Sequence, residues 1–321
     1  MNRSPFPARP SPFSRALSAA CLAVAATAGL GSPILAQKDG KGARVAIERR
    51  AAIASDASIR IAGAISSIRI IGWDRDSLVL TGTMPQGWRF DGGVAASSVT
   101  GPGRGAKFFI EAPSEVIPTG ATVELRVPTR ARVWAKSGSA DIEVTGVTGG
   151  LDLNLVGGSV TVYSTPRELN VESMDGAVHV LAGAAWLRVK TATGDIDVRG
   201  GSEDIGLSTV SGTIRLGAGR YERGKFETVT GDVVYQGDIG YRGSIDLTTH
   251  SGRVELQLST KQLDLEVDAA TVTGSIENAL TKSRPIPGRE GRGMELGFGS
   301  GSGNTHVLIR SFKGNITLKP R

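Results

Sequence analysis

Residues 187–198 read LRVKTATGDIDV, residues 205–216 IGLSTVSGTIRL and residues 225–235 KFETVTGDVVY. Each is an alternating run, a Ser/Thr-rich step, a glycine, and a second alternating run. IDLTTHSGRVEL (245–256) repeats the pattern, and LNVESMDGAVHV (169–180), LDLNLVGGSVTV (151–162) and HVLIRSFKGNITL (306–318) follow it more loosely. The marker glycines are Gly158, Gly176, Gly194, Gly212, Gly231, Gly252, Gly274 and Gly314, spaced 18, 18, 18, 19, 21, 22 and 40 apart. A fixed period of this size is the signature of a stacked repeat architecture.

The columns carry more than the period. Two residues after the glycines stand Val160, Val178, Ile196, Ile214, Val233, Val254, Ile276 and Ile316. Four after stand Val162, Val180, Val198, Leu216, Tyr235, Leu256 and Leu318, with Asn278 the exception. Five before stand Leu153, Val171, Val189, Leu207, Phe226, Leu247 and Ile309. Period-two alternation marks half-buried strands. Apolar positions are odd before the glycine and even after it, so the chain must bend there. Glycine suits a bend because it tolerates positive φ. One such repeat cannot bury its own apolar face, whereas stacked repeats bury it against neighbours about 4.8 Å away. The alternative is an antiparallel meander turning at the Ser/Thr-Gly steps, but the Asn-Gly and Asp-Gly turns that hairpins favour are scarce. The expected fold is an all-β solenoid of 18–22-residue turns over residues 131–321, with an inserted loop at 283–304.

Residues 37–130 are less regular but still strand-like: ASIRIAG, SSIRIIGW, SLVLTGTM, KFFIEAP and TVELRVP. They read as irregular first turns acting as a cap, because terminal repeats must close off an outer face. Asp91–Gly105 is a Gly-rich excursion and Pro113–Thr119 a second loop.

Residues 1–36 read as a secretory signal peptide. Arg3, Arg9 and Arg15 open it, Ala16–Leu30 is apolar, and Ile34-Leu35-Ala36 precedes Gln37 as a cleavage site. Cys21 is not in a lipobox, since Ser18 stands where leucine is required. Removing 1–36 takes away three arginines and no acid, so the formal charge falls from +6 to about +3. It also removes the only cysteine, and with it any disulfide or thiolate site. The remaining cations are dispersed, which argues against nucleic acid as a partner. No later stretch approaches the roughly 20 apolar residues of a membrane span.

SIRIIGWDRDSLVLTG (67–82), VELRVPTRARVWAKSGSADIEV (123–144) and the TATGDIDV, TVSGTIRL and TVTGDVVY repeats resemble the bacterial putative-adhesin family of extracytoplasmic repeat proteins. That resemblance implies a β-solenoid outside the cytoplasm, without an established enzymatic role and with no catalytic motif to carry over.

The residues themselves point to little chemistry. His179, His250 and His306 fall on different repeats and columns, and no zinc-protease, nucleophile-elbow or phosphate-loop pattern occurs. No cofactor is implied. Asp195, Asp197 and Asp232 are the carboxylates that a polysaccharide-cleaving β-helix would use. Asp195 and Asp232 share a column two repeats apart, about 9.6 Å, within the range of inverting carboxylates. The plainer reading is solvated acids beside Arg199, Arg215 and Arg253.

The distinctive polar feature is a hydroxyl ladder. Ser173, Thr191, Thr209, Thr228, Thr249, Thr271 and Ser311 stand three before the glycine. Asp175, Thr193, Ser211, Thr230, Ser251 and Thr273 stand immediately before it. With Met174, Ala192, Val210, Val229 and Val272 between them turned inward, both hydroxyl files would share one face. Such a face suits a glycan or a cell-envelope surface, and resembles the ice-binding face of some antifreeze proteins, though the charges beside it spoil a flat ice match. The structural alternative is that β-branched threonines suit strands and their hydroxyls cap the corner. The expected function is therefore a non-enzymatic, adhesin-like scaffold or surface-binding protein, periplasmic, envelope-associated or released. A carbohydrate-active β-helix is the alternative.

Overall fold

The computed structural model describes residues 42–95, 102–113, 119–259, 264–288 and 291–321. The expected signal peptide, and the tips of both expected N-terminal loops, lie outside the described residues. All described residues fall in one compact unit spanning Gly40–Arg321.

From Gly176 onward each repeat bends at its marker glycine into two strands, the Gly158 repeat remaining one strand, Gly150–Tyr163, and neighbouring repeats pair in parallel. Trp186–Lys190 lies between Glu168–Ser173 and Ser202–Thr209, in register at each step. On the other side of the bend, Ile196–Val198 lies between Ala177–Val180 and Ile214–Leu216. The same two ladders continue through the Gly231 and Gly252 repeats. Parallel pairing one repeat apart excludes the antiparallel meander for this part of the chain. The expected columns are the core: Val160, Val178, Ile196, Ile214, Val233, Val254 and Ile316 are all buried, as are Leu153, Val171, Val189, Leu207, Phe226, Leu247 and Ile309.

The glycines are required for a reason other than the one the sequence suggested. Only Gly158 among the eight has a left-handed backbone, with φ 97°. The others are needed because the rungs touch. A Cβ on Gly194 or Gly212 would lie 2.1 Å from the carbonyl oxygen of the preceding marker glycine, and on Gly231 or Gly252 only 1.8 Å. The obstacle is backbone, so no rotamer relieves it.

The order of rungs departs from chain order at both ends. The Gly252 rung is followed by Thr305–Ser311 and Ile316–Pro320, and only then by Leu265–Thr271 and Ile276–Asn278. The C-terminal segment is thus an internal rung. Arg310–Asp246, Lys319–Glu255 and Arg321–Asp238 ion pairs seat it on the Gly252 rung. The hydrogen bond from Lys319 holds the Glu255 carboxyl below the usual carboxylate range. Asn278, the exception in its column, ends the stack by accepting amides from Leu280 and Thr281. Part of the expected 283–304 loop is ordered. Met294–Ser300 pairs antiparallel outside Leu265–Thr271.

At the other end Arg132–Thr145 pairs in parallel with residues 58–63 and then 67–71, so the ladders run across residue 130. Outside that first rung lie Gly103–Glu111 and Ala121–Pro128, again out of chain order. Arg89–Val94 and Ser77–Pro85 add antiparallel strands beyond them. Much of the Gly-rich excursion at 91–105 is therefore strand, with Asp91–Val94 paired to Ala106–Phe109.

Gly212→Ala is expected to cost at least about 2 kcal/mol, since backbone overpacking must separate two rungs. Gly138→Ala, where a Cβ meets nothing within 4 Å, is its control. Urea denaturation midpoints compare the two. Seating of the C-terminal rung is expected to weaken in acid. Glu255 is depressed in the folded state, so its contribution is present above the ordinary glutamate range and is lost as pH falls through the depressed value. Hydrogen exchange at Thr305–Ser311 between neutral and acidic pH reads this.

Candidate functional site

The corner is where the hydroxyl ladder was expected, and the structure divides that ladder in two. The file three before the glycine is buried: Ser173, Thr191, Thr209, Thr228, Thr249, Thr271 and Ser311 are each under a tenth exposed. These oxygens accept the marker-glycine amide. Gly176 N donates to Ser173 Oγ at 2.9 Å, Gly212 N to Thr209 Oγ1 at 3.1 Å, Gly231 N to Thr228 Oγ1 at 3.0 Å and Gly252 N to Thr249 Oγ1 at 3.0 Å. Thr271 and Ser311 do the same for Gly274 and Gly314. Thr191 differs, donating to Gly194 O at 2.6 Å. Several also donate to the rung beneath, as Thr209 does to Ala192 O at 3.2 Å. A buried amide without a partner is costly, so these side chains hold the bend rather than face solvent.

The file immediately before the glycine is exposed: Thr193, Ser211, Thr230, Ser251 and Thr273. The residues between the files also point outward, contrary to expectation. Met174 is 55% exposed, Val210 51%, Val229 45% and Val272 41%. Alternation from the buried position five before the glycine carries to position three and turns position two out. The result is a continuous corner ridge of Val156, Met174, Ala192, Val210, Val229, His250, Phe312 and Val272, with the short hydroxyl file beside it. At about 4.8 Å per rung it runs roughly 34 Å.

The acids do not converge. Asp195 accepts Thr213 N at 2.7 Å and faces Arg215, while Asp232 accepts Arg253 N at 2.8 Å and the Arg253 guanidinium. Both brace the next rung. Asp197 pairs with Arg199 at 3.1 Å. His250 stacks on Phe312 at 4.9 Å and His306 faces Glu266 at 3.2 Å, on different rungs from His179. Among the described residues no group of three or more His, Cys, Asp or Glu is placed to hold a metal ion.

Sequence reasoning missed the outer face of the ladder preceding the bend. A shallow groove of about 740 Å³ lies there. Trp134 and Trp186 flank it, Asp152, Glu168 and Asn170 line it, and Arg60, Arg132 and Arg188 rim it. Asp152 is held by the Asn154 and Asn170 amides at 2.7 and 3.2 Å. Arg188 covers the Trp186 ring at 4.9 Å and pairs with Asp204.

A family model described as Toastrack DUF4097 matches residues 98–319. The chain belongs to the Toastrack DUF4097 family. The matched span of this Toastrack chain takes in the corner ridge, the out-of-order C-terminal rung and the groove residues from Arg132 to Arg188, but not Ser58 and Arg60. Among solved structures it is similar to a putative adhesin from Bacteroides fragilis, at 15% identity over 86% of this chain and 97% of that one, with a TM-score of 0.43. It is also similar to a putative cell adhesion protein from Clostridium sporogenes, at 9% identity over 86% and 100%, TM-score 0.21. A putative lipid binding protein from Parabacteroides distasonis matches at 10% identity over 85% and 96%, TM-score 0.37. At these levels none bears on ligand or partner. No curated protein matches the chain.

Thr209→Val, which removes the acceptor of the buried Gly212 amide, is expected to destabilise the Toastrack chain by about 1–3 kcal/mol. Ser211→Val, two residues on and exposed, is expected to stay within about 0.5 kcal/mol. Equal losses in a denaturant titration would contradict the division of the ladder.

Proposed function

We propose that this protein is an exported, adhesin-like β-solenoid that binds a cell-envelope surface through contacts spread along its length. The observation that carries the reading is the corner ridge. Its side chains form a continuous file beside exposed hydroxyls, most of them exposed and apolar, with half-buried Ala192 and the His250–Phe312 stack among them, and apolar surface of this kind marks interaction sites. The core does not use these side chains, and the bend does not need them. Repetition gives many weak, equivalent contacts rather than one deep site, as in other solenoids.

The signal peptide read in residues 1–36 supports export, and the hydroxyl file, now limited to Thr193, Ser211, Thr230, Ser251 and Thr273, adds polar contacts along the same edge. Among the described residues no helix is long and apolar enough to cross a membrane. Catalysis has no part in the reading: Asp195, Asp197 and Asp232 are each engaged by an arginine, and two of them by a backbone amide.

The test is co-sedimentation of the purified protein with isolated cell envelopes. A Met174→Ser, Val210→Ser, Val229→Ser variant is expected to fold normally, because exposed substitutions cost about 0.5 kcal/mol or less each. It should lose most of the sedimenting fraction. Retention equal to the unaltered protein would remove the ridge as the contact surface.

A further inference from the structure

We infer that the groove between Trp134 and Trp186 is a binding site for an acidic polysaccharide. The inference deepens the surface-binding reading only in naming a ligand for an exported protein; its residues are separate from the corner ridge.

Like charges gather on this part of the surface. Several cations on the ladder faces are matched: Arg69 with Glu143, Arg126 with Glu124, Arg188 and Arg223 with Asp204, Lys225 with Glu227, Arg310 with Asp246. Around Trp134 they are not. Arg60 lies beside Trp134 on the neighbouring rung, and Lys107 beside Arg60 on the next. Arg132 and Lys136 flank Trp134 on its own strand, which alternation turns to the same side. None of these four has an ion-pair partner among the described residues, and all are exposed. Adjacent like charges on neighbouring strands are destabilising unless something neutralises them. The available carboxylates are too few: Asp152 is occupied by two asparagine amides, and Glu168 lies two rungs from Arg132.

The aromatic residues specify what kind of anion fits. The sequence has four tryptophans. Trp73 is fixed by its bond to Ser77 O, and Trp88 packs on the core. The other two both reach this groove, three rungs apart, or about 14 Å along the stack. Between them the floor is opened by Gly150, which lies opposite Arg132; a Cβ there would meet the Arg132 side chain at 3.5 Å. Two aromatic surfaces separated by a polar floor of Asp152, Asn170 and Glu168 offer stacking for pyranose faces and hydrogen-bond partners for their hydroxyls. Arg60 and Arg132 supply forked donors for carboxylates. A simple anion would not need the tryptophans, and a neutral glycan would not need the cations. A groove of about 530 Å³ continues past Ser58 and Arg60 to Lys107 and Gly93, lengthening the track for an extended chain.

The experiment is titration of the purified protein with an oligogalacturonate, followed by calorimetry and tryptophan fluorescence, at low and high salt. A neutral cello-oligosaccharide, inorganic phosphate and anionic phospholipid vesicles serve as parallel probes. Oligogalacturonate is expected to bind, to change tryptophan emission and to weaken as salt rises. Trp134→Ala with Trp186→Ala, and separately Arg60→Gln with Arg132→Gln, should each weaken it by about tenfold or more. Arg69→Gln, at a matched pair in another groove, should leave it unchanged. No binding, equal binding of the neutral probe, binding only to vesicles or phosphate, or full affinity in both double variants would overturn the inference. Those failures would leave the envelope co-sedimentation result of the ridge variant untouched, so the two readings fall separately.

Discussion

The whole structure depends on one close approach, the marker glycine of each rung from Gly176 on against the carbonyl of the marker glycine in the rung beside it. At 1.7–2.5 Å from a virtual Cβ to that oxygen, no L side chain fits without parting the rungs. The bend then turns the glycine amide inward, away from the ladder, where it needs an acceptor. Serine or threonine three residues earlier supplies one, and the β-branched members do so without leaving extended geometry. The exception clarifies the rule. At Gly158 the residue three before is Leu155, which has no hydroxyl, and there alone among the marker glycines the backbone adopts positive φ. Two solutions to the same corner exist: positive φ at Gly158, and at six of the other seven a hydroxyl that accepts the glycine amide, Thr191 instead donating to Gly194 O.

Stacking in register creates a problem that the corner cannot solve: the last rung exposes open edges. Both ends manage this by the same device. Residues 58–73 and 305–320, the first and last complete rungs in sequence, are both internal to the stack. Segments from inside the chain, 103–111, 121–128, 265–271 and 276–278, lie over them, and antiparallel strands cover the first three in turn. Terminal strands that would fray are thereby held on two sides, and parallel edges that could recruit another chain are replaced by short antiparallel ones.

The period, the two ladders and their buried columns could be read from residues 151–256, because each follows from alternation around a glycine. The role of Asn278 as an interruption was visible as well. The hydroxyl ladder was misread at one step, and the correction was available from parity: if Leu207 faces in, so does Thr209, and Val210 must face out. The rung order was not legible. Gly274 and Gly314 have equivalent sequence contexts, and nothing local distinguishes a rung stacked next in the chain from one stacked later. The groove was hidden for the same reason. Trp134 and Trp186 occupy different columns, and Arg60 and Lys107 reach Trp134 only through the displaced N-terminal rungs.

A regular stack with a filled core is poorly suited to convergence. Its side chains leave the surface in parallel files, so acids such as Asp195 and Asp232 repeat a structural contact with the next rung instead of meeting at a substrate. Function in such a scaffold is expected where a file is uniform and unneeded for packing, or where periodicity breaks without structural compensation. The corner ridge is the first kind of place. The surface around Trp134 is the second: its cations come from three rungs, two of them out of chain order, and they stand side by side with no ion-pair partner among the described residues. An ordered fold keeps uncompensated like charges together at a cost in stability. The economical physical account is that their partner is a polyanion outside the chain, bound along the same direction in which the rungs repeat.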